Sequence, residues 1–132
     1  MRLAAAAAAA AMATMLIGCG GSSSSSTGPS SGVTCSSLPE RTFLIASGAV
    51  CPQALTVTRG SQITFINNDN RAHEMNSDPH PEHTDCPELN QVGHLEPGQS
   101  RQTGNLNTSR NCGFHDHLND QNRALRGTIT IQ

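Results

Sequence analysis

The sequence contains no tryptophan and no tyrosine, and its only aromatic rings apart from histidine are Phe43, Phe65 and Phe114. Aromatic side chains supply much of the buried area of a small domain. Burial therefore gives this chain a thin margin, and covalent or metal cross-links would help to hold it together. Basic residues are also few: 8 Lys and Arg against 10 Asp and Glu leave a formal net charge of −2. With no cationic cluster to neutralise phosphates, the composition argues against a nucleic-acid partner and against membrane contact through a polybasic patch. Helical periodicity is missing too, since beyond the N-terminal apolar run no stretch keeps a helical period for more than a few residues.

What is present begins with an export pattern over residues 1–18: Met1-Arg2 is a short basic start, Leu3 to Ile17 is an Ala-rich apolar run, and Gly18-Cys19 follows. The run is near the lower limit for a membrane span and is followed by "GGSSSSSTGPSSG" instead of a basic flank, which favours cleavage over a retained helix. Leu16-Ile17-Gly18-Cys19 resembles the bacterial lipoprotein box. The resemblance implies that Cys19 is lipidated, becomes the first residue of the mature protein and ties it to a bacterial membrane, facing the periplasm or the exterior. Residues 19–32 then make a lipidated cysteine and a Gly/Ser linker with no apolar side chain to offset its ordering entropy. Residues 33–132 are enough for a single small domain.

Export places that domain where cysteines tend to pair. Of the 5 cysteines, Cys19 is claimed by lipid, and Cys35, Cys51, Cys86 and Cys112 remain as an even set with three possible connectivities. Neighbours in sequence suggest Cys35–Cys51 and Cys86–Cys112. A Cys112 that served as a thiolate ligand would leave Cys86 unpaired.

Short alternating segments punctuated by Gly, Pro, Asn and Asp read as strands of an all-β antiparallel sandwich or barrel. "TFLIAS" from Thr42 to Ser47 is one. "ALTVTRGSQITFINN" reads as a hairpin-like unit turning at Gly60, with Ile63 and Phe65 on one face of its second strand. "SRQTGNL" is a weaker strand, "LEPGQS" a turn, and "GTITIQ" a terminal strand with Ile129 and Ile131 on one side.

All 6 histidines fall between His73 and His117. His80 and His83 lie in "SDPHPEHTDCP", where Pro79 and Pro81 stiffen the backbone and lower the entropy lost on fixing a ring. His115 and His117 are two apart, so on a strand their rings project from one face and can reach one ion together. His94 has no such partner and reads as structural or exposed. Imidazole suits copper, zinc and nickel, and Cu(II) is bound tightest at a given nitrogen site. His73, one loop histidine, His115 and His117 together would make a copper site.

These residues resemble a cupredoxin, the β-sandwich of plastocyanin and its relatives. "LTVTRGSQITFINNDNRAH" is similar to the family segment in which a Gly turn and asparagines precede the first copper histidine, here His73. Cys112-Gly113-Phe114-His115 is similar to its Cys-x-x-His loop, followed by a closing strand like "GTITIQ". The resemblance covers Ala54 to Gln132 and implies a Greek-key β-sandwich with copper as cofactor. The chain departs from the pattern where the axial methionine would stand, which is Asp120, and in carrying His117; Met75 would be an unusual axial ligand. It looks more like a bacterial exported group with a histidine-rich site.

Two site models follow. In the first, Cys86 and Cys112 are bridged and copper sits on His73, His83, His115 and His117, with His80 as substitute for His83. In the second, a Cys112 thiolate joins His73 and His115, and His117, Glu74 or Asp116 completes the shell. The missing methionine and cysteine parity favour the first. A copper-binding protein of the cell envelope, for storage, delivery or detoxification, is then the leading expectation, with a redox or copper-transfer protein as partner. An electron-transfer cupredoxin using Cys112 is the alternative. A second alternative is an enzyme with superoxide dismutase-like activity, from the short likeness of "FHDH" to the His-x-His strand of copper/zinc superoxide dismutase.

Overall fold

A computed structural model describes residues 34–132; the export signal, Cys19 and the whole linker lie outside the described residues. The chain forms strands β1 (Thr42–Ala46), β2 (Ala49–Cys51), β3 (Ala54–Val57), β4 (Thr64–Asn67), β5 (His73–Ser77), β6 (Gly93–Leu95), β7 (Ser100–Gln102), β8 (Arg110–Asp116) and β9 (Arg126–Ile131). Helical structure among the described residues is limited to three-residue 3-10 turns. The strands assemble into a four-stranded sheet ordered β2-β1-β4-β7 and a five-stranded sheet ordered β3-β9-β8-β5-β6. This is an all-β sandwich, as the punctuation pattern implies, but its sheets are mixed and not purely antiparallel, since β1–β4 and β3–β9 pair in parallel.

The hairpin expected around Gly60 does not form. β3 pairs in parallel with β9 in one sheet, Leu55 opposite Ile129, while β4 pairs in parallel with β1 in the other, Phe65 opposite Phe43. Gly60, at φ +83°, supplies the left-handed turn, but the turn carries the chain between sheets. Strand choice is decided by the distant partners, which bury Leu55 and Phe65 against different neighbours. "LEPGQS" crosses in the same way, because β6 and β7 also belong to different sheets.

The three phenylalanines meet at the centre. Phe43 and Phe65 from the four-stranded sheet and Phe114 from the five-stranded sheet are fully buried, with ring centroids 4.8 to 5.2 Å apart. Such separations suit tilted and edge-to-face aromatic pairs. Phe114 lies opposite Gly127 in the β8–β9 register. A Cβ at Gly127 would collide with the Phe114 ring, so glycine there is what admits the third ring.

The cysteine pairs of the parity argument come together as Cys35–Cys51 and Cys86–Cys112, with Cα atoms 5.8 and 5.7 Å apart, inside the usual span of a disulfide. Cys86 and Cys112 are wholly buried. Their bridge joins the long segment after β5 to the middle of β8.

Candidate metal centre

In the β5–β8 register Asn76 lies opposite His115 and Met75 opposite Asp116. Residues directly opposite in an antiparallel pair share a face. His115 therefore leaves the five-stranded sheet on the side away from Met75 and Phe114. The segment from Asp78 to Cys86 folds over that outer side and closes on itself: the His83 amide donates to the Pro79 carbonyl and the Asp85 amide to the Asp78 carbonyl, both at 2.8 Å. Asn90 clamps its base, accepting from the Ser77 amide and donating to the His83 carbonyl, again at 2.8 Å. His83 is held at φ +54°, a left-handed conformation that a non-glycine residue adopts at a cost and that often marks a functional site.

Under this segment the rings of His80, His83, His115 and His117 gather, each offering one nitrogen, with those nitrogens within 4.8 Å of one another. One pair, His117 Nδ1 and His83 Nε2, is 3.2 Å apart. Nitrogens bonded to one ion at roughly 2.0–2.1 Å stand at most about 4.2 Å apart. The group is thus wider than one bound ion allows, and the rings would draw together to share it.

His115 is the fixed point of the group. Its ring is fully buried, its Nδ1 lies 2.7 Å from Asp78 Oδ1, and its Nε2 is buried with no hydrogen-bond partner. The carboxylate accepts from Nδ1–H and so directs the Nε2 lone pair outward, the arrangement in which histidine ligates metal. An unpartnered buried nitrogen is costly, and an ion at that point would satisfy it. Gly113 makes the contact with Asp78 possible, because a Cβ there would strike the Asp78 carboxylate. For His83, burial and then the neighbouring rings of His115, His117 and His80 lower the pKa from its ordinary value. That ring stays neutral, and able to donate its lone pair, to lower pH than a free histidine.

His117 does not project from a strand as the two-residue spacing implies. β8 stops at Asp116, and His117 opens a 3-10 turn, His117–Asn119, whose Leu118 amide donates to the Asp116 side chain. The turn, not strand alternation, brings its ring beside His83.

His73 does not join the group. It lies on the inner side of β5, fully buried, with Nδ1 at 2.8 Å from Asp116 Oδ2 and Nε2 at 3.3 Å from Asp69 Oδ2. Both nitrogens thus face carboxylates, and the outward-facing rings are on the other side of the sheet. Asp116 also accepts from the Glu74 amide at 2.9 Å and from Asn119 Nδ2 at 2.7 Å. Burial raises its pKa, but the hydrogen bonds from His73, the Glu74 amide and Asn119 outweigh that and hold it below the ordinary aspartate value. Asp69 is likewise lowered: burial raises it, and the Gly48 amide and the His73 ring prevail. His73 anchors the aspartate that caps the turn carrying His117.

Cys112 stands with Phe114 on the inner side, bridged to Cys86, so the thiolate grouping with His73 and His115 does not form. His80, expected as a substitute for His83, accompanies it. His94 is exposed and pairs with Glu96 at 3.0 Å, in keeping with its solitary position. Sequence reading missed Asp78 and Asn90. The glycine inside β8 was the signal available for Asp78, because glycine in a strand often marks a close approach.

No family model and no curated protein matches the sequence. Among solved structures, the chain is similar to a novel purple cupredoxin from Nitrosopumilus maritimus, with 15% identity, 70% of this chain and 100% of that chain covered, and a TM-score of 0.57. It is similar to the oxidized form of plastocyanin from Dryopteris crassirhizoma, at 19% identity, 69% and 99% coverage and a TM-score of 0.52. A reduced Cu(I) form of an amicyanin variant matches at 14% identity, 76% and 90% coverage and a TM-score of 0.53. With its two packed sheets agreeing with those structures, the chain has the β-sandwich fold of the cupredoxins.

Proposed function

We propose that this domain is a copper-binding protein of the cell envelope, using His80, His83, His115 and His117 to hold the ion for storage, delivery or detoxification. The observation that carries the reading is the buried, unpartnered Nε2 of His115, oriented by Asp78 and facing the other rings. All-imidazole donors suit copper, zinc and nickel, with Cu(II) the tightest of these at a nitrogen site, and the similar amicyanin structure is of a Cu(I) form. Copper would supply a Lewis-acidic, redox-capable centre; the chain's part is to place the imidazoles and fix their tautomers. The bridge from Cys86 to Cys112 counts against an electron carrier built on a Cys112 thiolate. A lipid on Cys19 would tether the domain to a bacterial membrane, and a copper-transfer or redox protein would be its partner.

Equilibrium dialysis of Cu(II) against a weak chelator tests the reading. One copper retained per chain, and none in His115→Ala, is the expected result; no retention by the intact chain refutes it. The loaded protein should be pale, because no thiolate is available for charge transfer to copper. An intense visible band together with a free thiol at Cys86 would instead restore Cys112 as a ligand.

A further inference from the structure

The four rings are held unequally. His115 is locked by Asp78 at 2.7 Å. The His83 backbone is held at both its amide and its carbonyl, and His117 opens a turn capped by Asp116. His80, by contrast, makes no hydrogen bond among the described residues through ring or backbone; its nearest charged neighbour is Asp120, with 3.9 Å between Nε2 and Oδ2 and a side chain 36% exposed. Beside it opens a solvent-facing cleft of about 490 Å³ lined by Asp78, Pro79, His80, Asp120, Gln121 and Arg126.

We propose that His80 is the exchangeable donor of the centre. His83, His115 and His117 retain the ion, and the ion enters and leaves past His80 through this cleft, where the Asp78 and Asp120 carboxylates outnumber the one guanidinium, Arg126, and so favour a cation's approach. Exchange would be a ligand substitution: the bond from the His80 nitrogen to the metal would break as the lone pair of an incoming nitrogen, oxygen or sulfur donor formed the new one, with no change of oxidation state. The three anchored rings then hold the ion while the donor changes. This inference rests on the copper-binding reading and adds a direction to it.

The test loads the full chain and its His80→Ala, His115→Ala and Gln121→Trp variants with Cu(II), then follows retained copper by dialysis and its release to excess EDTA. His80→Ala should still hold copper, more weakly, and release it about tenfold faster. Added imidazole should slow that release by occupying the emptied position. Gln121→Trp, which narrows the cleft without touching a donor, should slow release with little change in affinity. Circular dichroism confirms that each variant is folded. The proposal fails if His80→Ala loses copper as completely as His115→Ala, or if Gln121→Trp releases copper at the unsubstituted rate. If the unsubstituted chain itself retains no copper, the copper-binding reading falls and this proposal with it.

Discussion

Replacing Asp78 by Asn isolates the contribution of the carboxylate behind His115. The Asp78–His115 contact, at 2.7 Å to a fully buried ring, is a charge-assisted bond, which contributes roughly 1.5–3 kcal/mol against about 0.5–1.5 for a neutral one. Asn can still accept from Nδ1–H, so the neutral bond survives and the difference, about 1 kcal/mol, is lost. At about 1.4 kcal/mol per tenfold, Asp78→Asn should weaken copper binding by roughly fivefold. Asp78→Ala removes the acceptor altogether, frees the tautomer, and should approach the hundredfold upper end of about 10–100-fold losses seen for such supporting groups. Competition against a chelator of known affinity measures both. Glu82→Gln is the control, because it removes a negative charge from the same loop without removing a contact to any of the four rings. Equal affinities for Asp78→Asn, Glu82→Gln and the unsubstituted protein would refute the reasoning, as would an Asp78→Ala affinity no lower than that of Asp78→Asn.

Gly127→Ala should destabilise the domain by about 1–3 kcal/mol, the usual cost of overpacking, because the new methyl meets Phe114 in the centre of the core; urea denaturation measures it, and an unchanged midpoint would contradict the packing account. Copper affinity should fall as pH drops, since protons compete for the donors, but with His83 yielding only below the ordinary histidine range of about 6.5 because its pKa is lowered. In the metal-free protein the same lowering means that the unfolded chain takes up a proton on this ring before the folded one does. Stability should therefore be highest above about 6.5, decline as pH falls from there to the lowered value, and level off below it. The contributions of Asp69 and Asp116, both lowered, are fully present above the ordinary aspartate value of 3.8 and lost as pH falls below it through their folded values. Denaturation midpoints of the metal-free protein that stay constant from neutral to mildly acid pH would refute the His83 assignment.

The apolar run of "TFLIAS" and the alternation of "GTITIQ" were enough to place β1, buried on both faces, and β9, buried on one, because each kind of burial writes its own pattern into the sequence. Pairing was less legible. The Gly60 turn announces a reversal but not which sheet the returning strand joins, and β3 and β4 are each matched to a parallel partner far away in sequence. The metal group illustrates the same limit. His83 could be singled out from its proline-stiffened loop and His115 and His117 from their closeness in sequence, but the exclusion of His73 depends on register: with Asn76, not Met75, opposite His115, His73 falls on the opposite face. A slip of one residue would have reversed that answer. Asp78 was missed as a ligand's support because its partner is 37 positions away, and Gly113 in β8 was the one trace of it in the sequence.

His83 and His117 are separated by 34 positions along the polypeptide, yet the sulfur–sulfur link begins three residues after the former and five before the latter. Through that link the covalent path between them shrinks to roughly a quarter of its length. Two halvings of a flexible loop lower its closure cost by about 1.2 kcal/mol. Even a chain whose sheets have come apart would thus keep these donors on one short tether, as a macrocyclic chelator does, and cation capture need not wait for the sandwich to close.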